Sequence, residues 1–138
     1  MDIFSKSERS EIMTKVLAKN NKLEISVRKY LFSKGFRYRK NVEEMPGKPD
    51  IVLPKYKTII LIHGCFWHGH ENCDAATLPT SNMEYWTNKV KSNVKRDLRN
   101  KQILINSGWK IIIVWECELK SKNKEQRFSR LLQEIQNI

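Results

Sequence analysis

No apolar stretch of the sequence approaches the ~18 residues that a transmembrane helix requires. The first residues, MDIFSKSERSEIM, are charged and contain no apolar core of the kind that secretory signals have. The sequence also lacks internal repeats, low-complexity segments and linkers, and its 138 residues fit the ~100–200 residues of one domain. We therefore expect a single domain over residues 1–138 of a cytoplasmic protein that has no membrane partner.

Acidic residues are scarce relative to basic ones. The chain has 15 Asp and Glu against 26 Lys and Arg, which gives a formal net charge of +11. Such an excess on a small domain favours binding to a polyanion, most often a nucleic acid, although a basic surface can also serve solubility alone. Hydrophobic residues make up 40% of the chain, which is enough for a globular core and excludes a disordered protein.

Hydrophobic periodicity predicts a helix followed by three strands in the first half of the chain. Residues 21–35 have apolar positions at helical spacing and end on a glycine. Residues 36–40 alternate like a short strand, and a turn rich in proline and glycine follows them. Residues 50–53 and 58–62 are short apolar runs separated by PKYK, which is typical of a hairpin of partly buried strands.

The second half of the chain predicts a helix, a strand and a helix. Trp86, Val90, Val94 and Leu98 recur every four residues, and Gly108 ends this long helix. KIIIVW has the β-branched content of a buried strand, and EQRFSRLLQEI is an amphipathic helix. The whole order predicts an α/β fold with one mixed sheet flanked by helices.

The segment HGCFWHGHENC, residues 63–73, contains all three histidines and two of the three cysteines. Cys65, His70 and Cys73 have the spacing of metal ligands, and the distant Cys117 can complete a tetrahedral zinc site. A site with four protein ligands has no position left for a reactive water, so it would be structural. Two alternatives stay open: Cys117 is a buried core cysteine, or three ligands hold a catalytic zinc with an open position.

Asp50 and His63 form a second candidate site. Asp50 begins one strand of the predicted hairpin and His63 ends the other, so both side chains lie at one end of the sheet. Glu24, near the start of the first helix, can join them. A carboxylate is the ligand that Mg²⁺ prefers, and a histidine can accept the proton of an attacking water. The alternatives are that Asp50 only forms a Pro-Asp turn and that Glu24 only caps its helix.

Four segments resemble, in order and spacing, the very short patch repair (Vsr) DNA mismatch endonucleases. They are PGKPDIVL, HGCFWHGHENC, EYWTNKVKSNVKRD and GWKIIIVWEC. The resemblance implies a PD-(D/E)XK-like (restriction-endonuclease-like) αβββαβ core in a bacterial, DNA-associated monomer. It also implies Mg²⁺-dependent nicking of one DNA strand 5′ to the thymine of a T:G mismatch. Such mismatches arise when 5-methylcytosine deaminates, so the resemblance implies a functional link to a cytosine-5 DNA methyltransferase.

The resemblance also implies roles for the acidic site. Asp50 and the backbone carbonyl of Ile62 would hold Mg²⁺, and a carbonyl ligand tolerates Ile62 where a family member has threonine. His63 and His68 would be the catalytic histidines, with Glu24 orienting one of them. The lysine that is usual in this fold is missing from the second motif strand, where the histidines replace it.

Further positions match the family's metal and DNA contacts. The matches to structural zinc ligands are Cys65, His70, Cys73 and Cys117. Phe66, Trp67 and Trp86 match aromatic residues that wedge into the duplex beside the mismatch, although the helical spacing of Trp86 also suits a core residue. Lys89 and Asn93 match positions near the mismatched bases, although they equally suit a solvated helix face.

The resemblance assigns roles to the two ends of the chain less specifically. Met13 matches a position on an N-terminal segment, residues 1–20, that approaches DNA. Residues 121–138 support only a generic C-terminal helix. Two other functions stay open at this point: a restriction-type nuclease that cuts both strands, and a zinc-stabilised DNA-binding module without activity.

Overall fold

The computed structural model describes residues 22–71, 73, 82–120 and 122–137. The predicted DNA-contacting segment over residues 1–20, including Met13, lies outside the described residues. Among the helices that the model describes, none is long and apolar enough to cross a membrane.

The centre of the protein is a four-stranded mixed sheet with the strand order β1-β2-β3-β4. These strands are Arg39–Lys40, Ile51–Leu53, Thr58–His63 and Lys110–Trp115. β2 is antiparallel to β1 and β3, whereas β4 is parallel to β3. The parallel pair requires a crossover connection, which the helix between β3 and β4 supplies.

Helices cover both faces of the sheet. Residues 22–33 are helical and are called α1, while α2 is Met83–Asn106 and α3 is Lys124–Gln136. Short 3₁₀ turns lie at Pro54–Tyr56, between β2 and β3, and at Glu116–Leu119, after β4. The prediction of a single α/β domain with one mixed sheet flanked by helices is confirmed.

The alternation of side chains along the strands separates two hydrophobic cores. On one face, Ile60 and Ile62 of β3 pack in a cluster with α1 and α3. On the other face, Ile59 of β3 packs with Leu104 of α2. His63 lies four residues after Ile59 on β3. Its side chain is therefore on the same face as Ile59, because successive residues of a strand point to opposite faces. The end of β3 therefore presents His63 on the side of the sheet that α2 covers.

The buried face of α2 differs from its four-residue apolar stripe. Trp86 is 1% exposed, but Leu98 at the other end of the stripe is 62% exposed. Steps of four residues advance ~40° beyond a full helical turn, so the stripe winds away from the sheet. The buried positions are Trp86, Asn93 and Leu104, whose separations are close to whole numbers of turns.

Charged groups attach α3 to the turn that follows β4. Arg127 is buried, and its guanidinium donates to Glu134 Oε1 at 2.8 Å and to the carbonyl of Ile113 at 3.2 Å. The same guanidinium lies 3.3 Å from Glu118 Oε1 in the 3₁₀ turn. The C-terminal helix therefore fixes the turn in which Cys117 lies.

Candidate functional site

A cleft of about 410 Å³ opens at the end of β3, between the turn before β2 and the helix α2. It brings together the predicted acidic and histidine residues. The side chains and backbone that line it belong to Glu24, Pro46, Gly47, Asp50, Leu61, Ile62, His63, Trp67, His68, Arg96, Asp97, Asn100, Lys101 and Leu104. We call this cleft the acidic pocket.

Asp50 is placed in the acidic pocket by the pairing of β2 with β3. The hairpin register sets Ile51 opposite Ile60, so Asp50 lies beside the end of β3. Its Oδ2 accepts a hydrogen bond from the Ile62 backbone N–H at 2.8 Å. Burial and the adjacent carboxyl of Glu24 raise the pKa of Asp50 to about 7, although the Ile62 N–H opposes this shift.

Glu24 reaches this position from α1 and forms an ion pair with Arg28 at 3.4 Å, one turn further along the helix. The two carboxyls of Glu24 and Asp50 therefore lie together in a partly buried site. When both carboxyls are ionised, their negative charges repel each other, and a bound divalent cation would relieve the repulsion. This donor chemistry fits Mg²⁺.

His63 and His68 stack face to face. Their ring centroids are 3.9 Å apart and their planes differ by 7°. His63 is 7% exposed, and its ring also meets Trp115 edge-on at 5.1 Å. Burial and the neighbouring His68 lower the pKa of His63 to about 3, so its imidazole is neutral in this arrangement.

Asp97 is a member of the site that sequence reasoning missed. Its Oδ2 lies 2.5 Å from His68 Nδ1, and both side chains are partly buried. Burial raises the pKa of Asp97, but the hydrogen bond and charge of His68 outweigh burial, and the pKa is lowered overall. Asp97 is one of only two acidic residues in α2, the other being Glu84, and that rarity was the available signal.

The group of His63, His68 and Asp97 has ligand atoms within 4.8 Å of one another. However, the lone pairs of two stacked imidazoles lie in two nearly parallel planes, and one ion cannot lie in both of these planes. A metal ion needs convergent lone pairs at about 2.0–2.1 Å from each nitrogen. The geometry therefore favours proton transfer by this group over metal binding.

The four predicted zinc ligands do come together. The ligand atoms of Cys65, His70, Cys73 and Cys117 lie within 4.8 Å of one another. Cys117 Sγ is 3.5 Å from His70 Nδ1, which is close to the spacing of two ligands on one tetrahedral ion. Burial and the adjacent thiols raise the pKa of Cys65 to about 12, which is the cost of gathering these groups without a cation.

The surroundings of this cluster hold its members in place. The Cys65 backbone N–H donates to Glu116 Oε1 at 3.1 Å, and the Cys117 N–H points at Cys65 Sγ at 3.3 Å. The ring of His70 stacks on Trp115 with centroids 4.0 Å apart and planes 8° from parallel. These contacts orient Cys65, His70 and Cys117, and we call the four residues the Cys/His cluster.

Gly69 joins the acidic pocket to the Cys/His cluster, because it lies between His68 and His70. Its φ of +60° suits glycine, and a Cβ there would lie 2.9 Å from Val90 Cγ1 and 3.1 Å from Val94 Cγ2 of α2. The loop can therefore pack against α2 only with glycine at this position. One backbone turn thus fixes a member of each site.

The predicted wedge aromatics differ in exposure. Phe66 and Trp67 are half-buried, whereas Trp86 is 1% exposed. Trp86 meets the edge of Phe66 with centroids 5.7 Å apart. Trp86 therefore occupies the core position that its spacing also suggested, and it packs against the inner side of Phe66. Trp67 lines the acidic pocket beside the histidines.

Lys89 and Asn93 both contact Trp67. The Lys89 ammonium lies 5.6 Å from the centroid of the Trp67 ring. Asn93 is 2% exposed, and its side-chain amide donates to the Trp67 carbonyl at 3.0 Å. Lys89 is therefore an exposed residue beside the Trp67 ring. Asn93 is buried and fixes the backbone of Trp67 by its hydrogen bond.

Comparisons of the sequence with known proteins identify related enzymes. Residues 1–74 match the family model described as DNA mismatch endonuclease Vsr. The chain is 50% identical over 137 residues to the Type II nicking enzyme V.NmeAIP of Neisseria meningitidis serogroup A, covering 99% of this chain and 97% of that protein. It is 42% identical over 118 residues to the Type II nicking enzyme V.XorIIP of Xanthomonas oryzae pv. oryzae, covering 86% of each.

A third relative carries the family name itself. The chain is 35% identical over 123 residues to the DNA mismatch endonuclease Vsr of Escherichia coli, covering 89% of this chain and 78% of that protein. The alternative of a DNA-binding module without activity is thereby removed. With the acidic pocket, the histidine pair and these matches together, the chain belongs to the Vsr family of DNA mismatch endonucleases.

Proposed function

We propose that this endonuclease nicks one strand of double-stranded DNA 5′ to the thymine of a T:G mismatch, in a sequence context. The observation that carries the proposal is the position of Trp67, which lines the same pocket as Asp50 and His68. An aromatic ring at that place can enter a base step next to the phosphate that is cut. A mismatched step costs less to open than a paired one, so the wedge favours mismatches.

The acidic pocket would hold Mg²⁺ through the Asp50 carboxylate and the Ile62 carbonyl, with Glu24 beside them. Mg²⁺, when bound, polarises the phosphate and neutralises the charge that develops on it. The chain's contribution is to hold the two carboxyls in a partly buried pair. The Ile62 N–H holds Asp50 Oδ2 at 2.8 Å, and a hydrogen bond with the Glu24 carboxyl holds the Asp50 side chain as well.

His68 would act as the general base. Its Nδ1–H donates to Asp97, which leaves the Nε2 lone pair to accept the proton of the attacking water. Water adds to phosphorus, the bond to the 3′ oxygen breaks, and the departing oxygen takes a proton from solvent, leaving a 5′-phosphate and a 3′-hydroxyl. His63 has no such carboxylate partner among the described residues and lies stacked against His68. It would therefore position His68 and hydrogen-bond the reacting groups as a neutral imidazole.

The Cys/His cluster would hold a structural Zn²⁺ through all four of its members. Sulfur and imidazole donors suit zinc, and four protein ligands leave no open position for a reactive water. Through Gly69, a zinc-filled cluster would hold the loop that presents His68 and the aromatic pair Phe66 and Trp67. In this proposal the zinc is a scaffold for the acidic pocket.

The remaining parts of the proposal follow from the family. The α-β-β-β-α-β order with its mixed sheet supports a restriction-endonuclease-like core, and one pocket in a monomer suits cutting of one strand. T:G mismatches arise at 5-methylcytosine, so the enzyme would serve a cytosine-5 DNA methyltransferase of the same bacterial cell and start very short patch repair. Residues 1–20, including Met13, would contribute to the DNA contacts.

The proposal is tested with duplexes that differ at one base. We expect Mg²⁺-dependent nicking of a strand carrying a T:G mismatch, with a matched T:A duplex as the control. Flanking sequences are varied across a panel, because the context is set by contacts with the neighbouring base pairs. Equal cutting of the T:A duplex, or cutting of both strands, would instead support a restriction-type nuclease.

Replacing Asp97 by Asn tests the proposed base. The amide can turn its NH₂ toward Nδ1 and stabilise the wrong tautomer of His68, so we expect nicking to slow on the order of 1000-fold with little change in folding. Single-turnover rates measure the effect. His68→Gln and the double variant serve as controls, since residues acting as a unit are not additive. A double variant that is much slower than His68→Gln alone would contradict the pairing.

A further inference from the structure

The acidic pocket contains a lysine side chain to which the proposed function assigns no role. Lys101 of α2 lines the pocket and is half-buried. Within the described part of the chain it has no hydrogen-bond or ion-pair partner. Partial desolvation of the Lys101 ammonium is therefore not compensated by a carboxylate of the described residues. Such a group is available to a ligand of negative charge.

The other charged residues of the pocket are already engaged. Glu24 pairs with Arg28, and Asp97 contacts both His68 and Arg96, the latter at 3.7 Å. Arg96 is 49% exposed at the rim. Lys101 is therefore the lining cation that is free among the described residues, and its positive charge reaches His63, whose pKa it helps to lower.

Lys101 and Asp50 line the acidic pocket from different elements, because Lys101 belongs to α2 and Asp50 precedes β2 of the β2–β3 hairpin. α2 places Lys101 one turn after Asp97, which touches His68, so the ammonium approaches the histidine pair from the helix side. Leu61 and His63 of β3 line the same pocket. A phosphate held at Asp50 and beside His68 would thus lie in the pocket that the Lys101 side chain also lines.

We propose that Lys101 binds a non-bridging oxygen of the phosphate at which the strand is cut. This inference rests on the proposed function, because it uses the same pocket and the same reaction. The phosphate gains negative charge as water adds to it, so an ammonium fixed beside it stabilises the transition state more than the ground state. Lys101 is in that case a catalytic residue contributed by α2.

The experiment compares Lys101→Met with Lys101→Arg and with Lys95→Met. Lys95 lies on the same helix, is exposed and is not part of the pocket lining, so it reports the general loss of one positive charge. We expect Lys101→Met to lower kcat roughly 10- to 50-fold, as for a hydrogen bond to a charged group, with KM altered less than about threefold. Lys101→Arg should recover most of the rate, and Lys95→Met should match the unsubstituted enzyme.

Two controls separate this inference from the proposed function. Rates are measured on whichever duplex the unsubstituted enzyme cuts, so failure at T:G mismatches overturns the mismatch proposal and leaves the test of Lys101 intact. Melting temperatures confirm that each variant is folded. Loss of kcat in Lys101→Met with rescue by arginine supports the inference. Equal rates for Lys101→Met and Lys95→Met, or a change in KM alone, would overturn it.

Discussion

Replacing Asp50 by Asn is expected to abolish nicking while leaving the protein folded and able to bind DNA. The amide oxygen can still accept the Ile62 N–H, so the β2–β3 pairing persists. The proposed Mg²⁺ site would lose its charged ligand, and several kcal/mol of transition-state stabilisation would be lost with it. We therefore expect the rate to fall at least about 1000-fold, since each 1.36 kcal/mol is tenfold.

Stability provides a second readout of the same variant. The raised pKa of Asp50 means that burial and Glu24 make its ionised form costly in the folded protein. A neutral amide removes this cost, so the melting temperature of the Asp50→Asn variant should equal or exceed that of the unsubstituted protein when metal is absent. Activity lost together with gained stability is characteristic of a residue kept for function.

A matched control is Glu125→Gln, which neutralises an exposed carboxylate on α3, on the opposite face of the sheet. It should leave both the nicking rate and DNA binding unchanged. Binding is measured without Mg²⁺, so that cleavage does not interfere. Nicking by the Asp50→Asn variant at the normal rate would show that Asp50 is only the turn residue that its Pro-Asp sequence also suggested.

Loss of zinc is the second large effect that we expect. The Cys/His cluster connects residues 65–73 to the turn after β4, and these two segments are far apart in sequence. Structural zinc in small domains contributes an apparent ~10–16 kcal/mol of binding free energy, and that energy stabilises the folded state. Chelation should therefore lower the melting temperature sharply and reduce nicking, because His68 lies two residues from the ligand His70.

The ligand set is tested with Cys117→Ser. This substitution should lower the zinc content well below one ion per chain and destabilise the protein by at least about 3 kcal/mol, measured by urea unfolding. The control is Lys120→Met, an exposed position just after the same turn. One firmly bound zinc and unchanged stability in the serine variant would identify Cys117 as a buried core cysteine instead.

The fold was largely predictable because its elements are set by local patterns. The short apolar runs around PKYK allowed one hairpin, and KIIIVW could be buried only inside a sheet. The long helix between β3 and β4 is compatible with their parallel pairing, because parallel strands require a crossover, but only the structure shows that these two strands pair. Local spacing could not give the buried face of α2, since a four-residue stripe winds around the helix and exposes Leu98.

The candidate site was predictable where its residues are near one another in sequence or at strand ends. The Cys/His spacing identified three members of the Cys/His cluster, and the hairpin brought Asp50 to the end of β3. Asp97 was missed because its partner His68 is 29 residues away and only the packing of α2 on the sheet joins them. Trp86 matched a DNA wedge in sequence, yet its place in the core depended on how α2 is rotated.

The sequence by itself determined the order of the elements, the basic charge and the ligand types gathered in HGCFWHGHENC. The tertiary structure decided which of these groups meet: Asp97 with His68, Asn93 with the backbone of Trp67, and Lys101 with the acidic pocket. The reason is physical. Helix and strand periods are local properties of the chain, whereas the rotation and docking of α2 depend on how side chains from distant segments pack together.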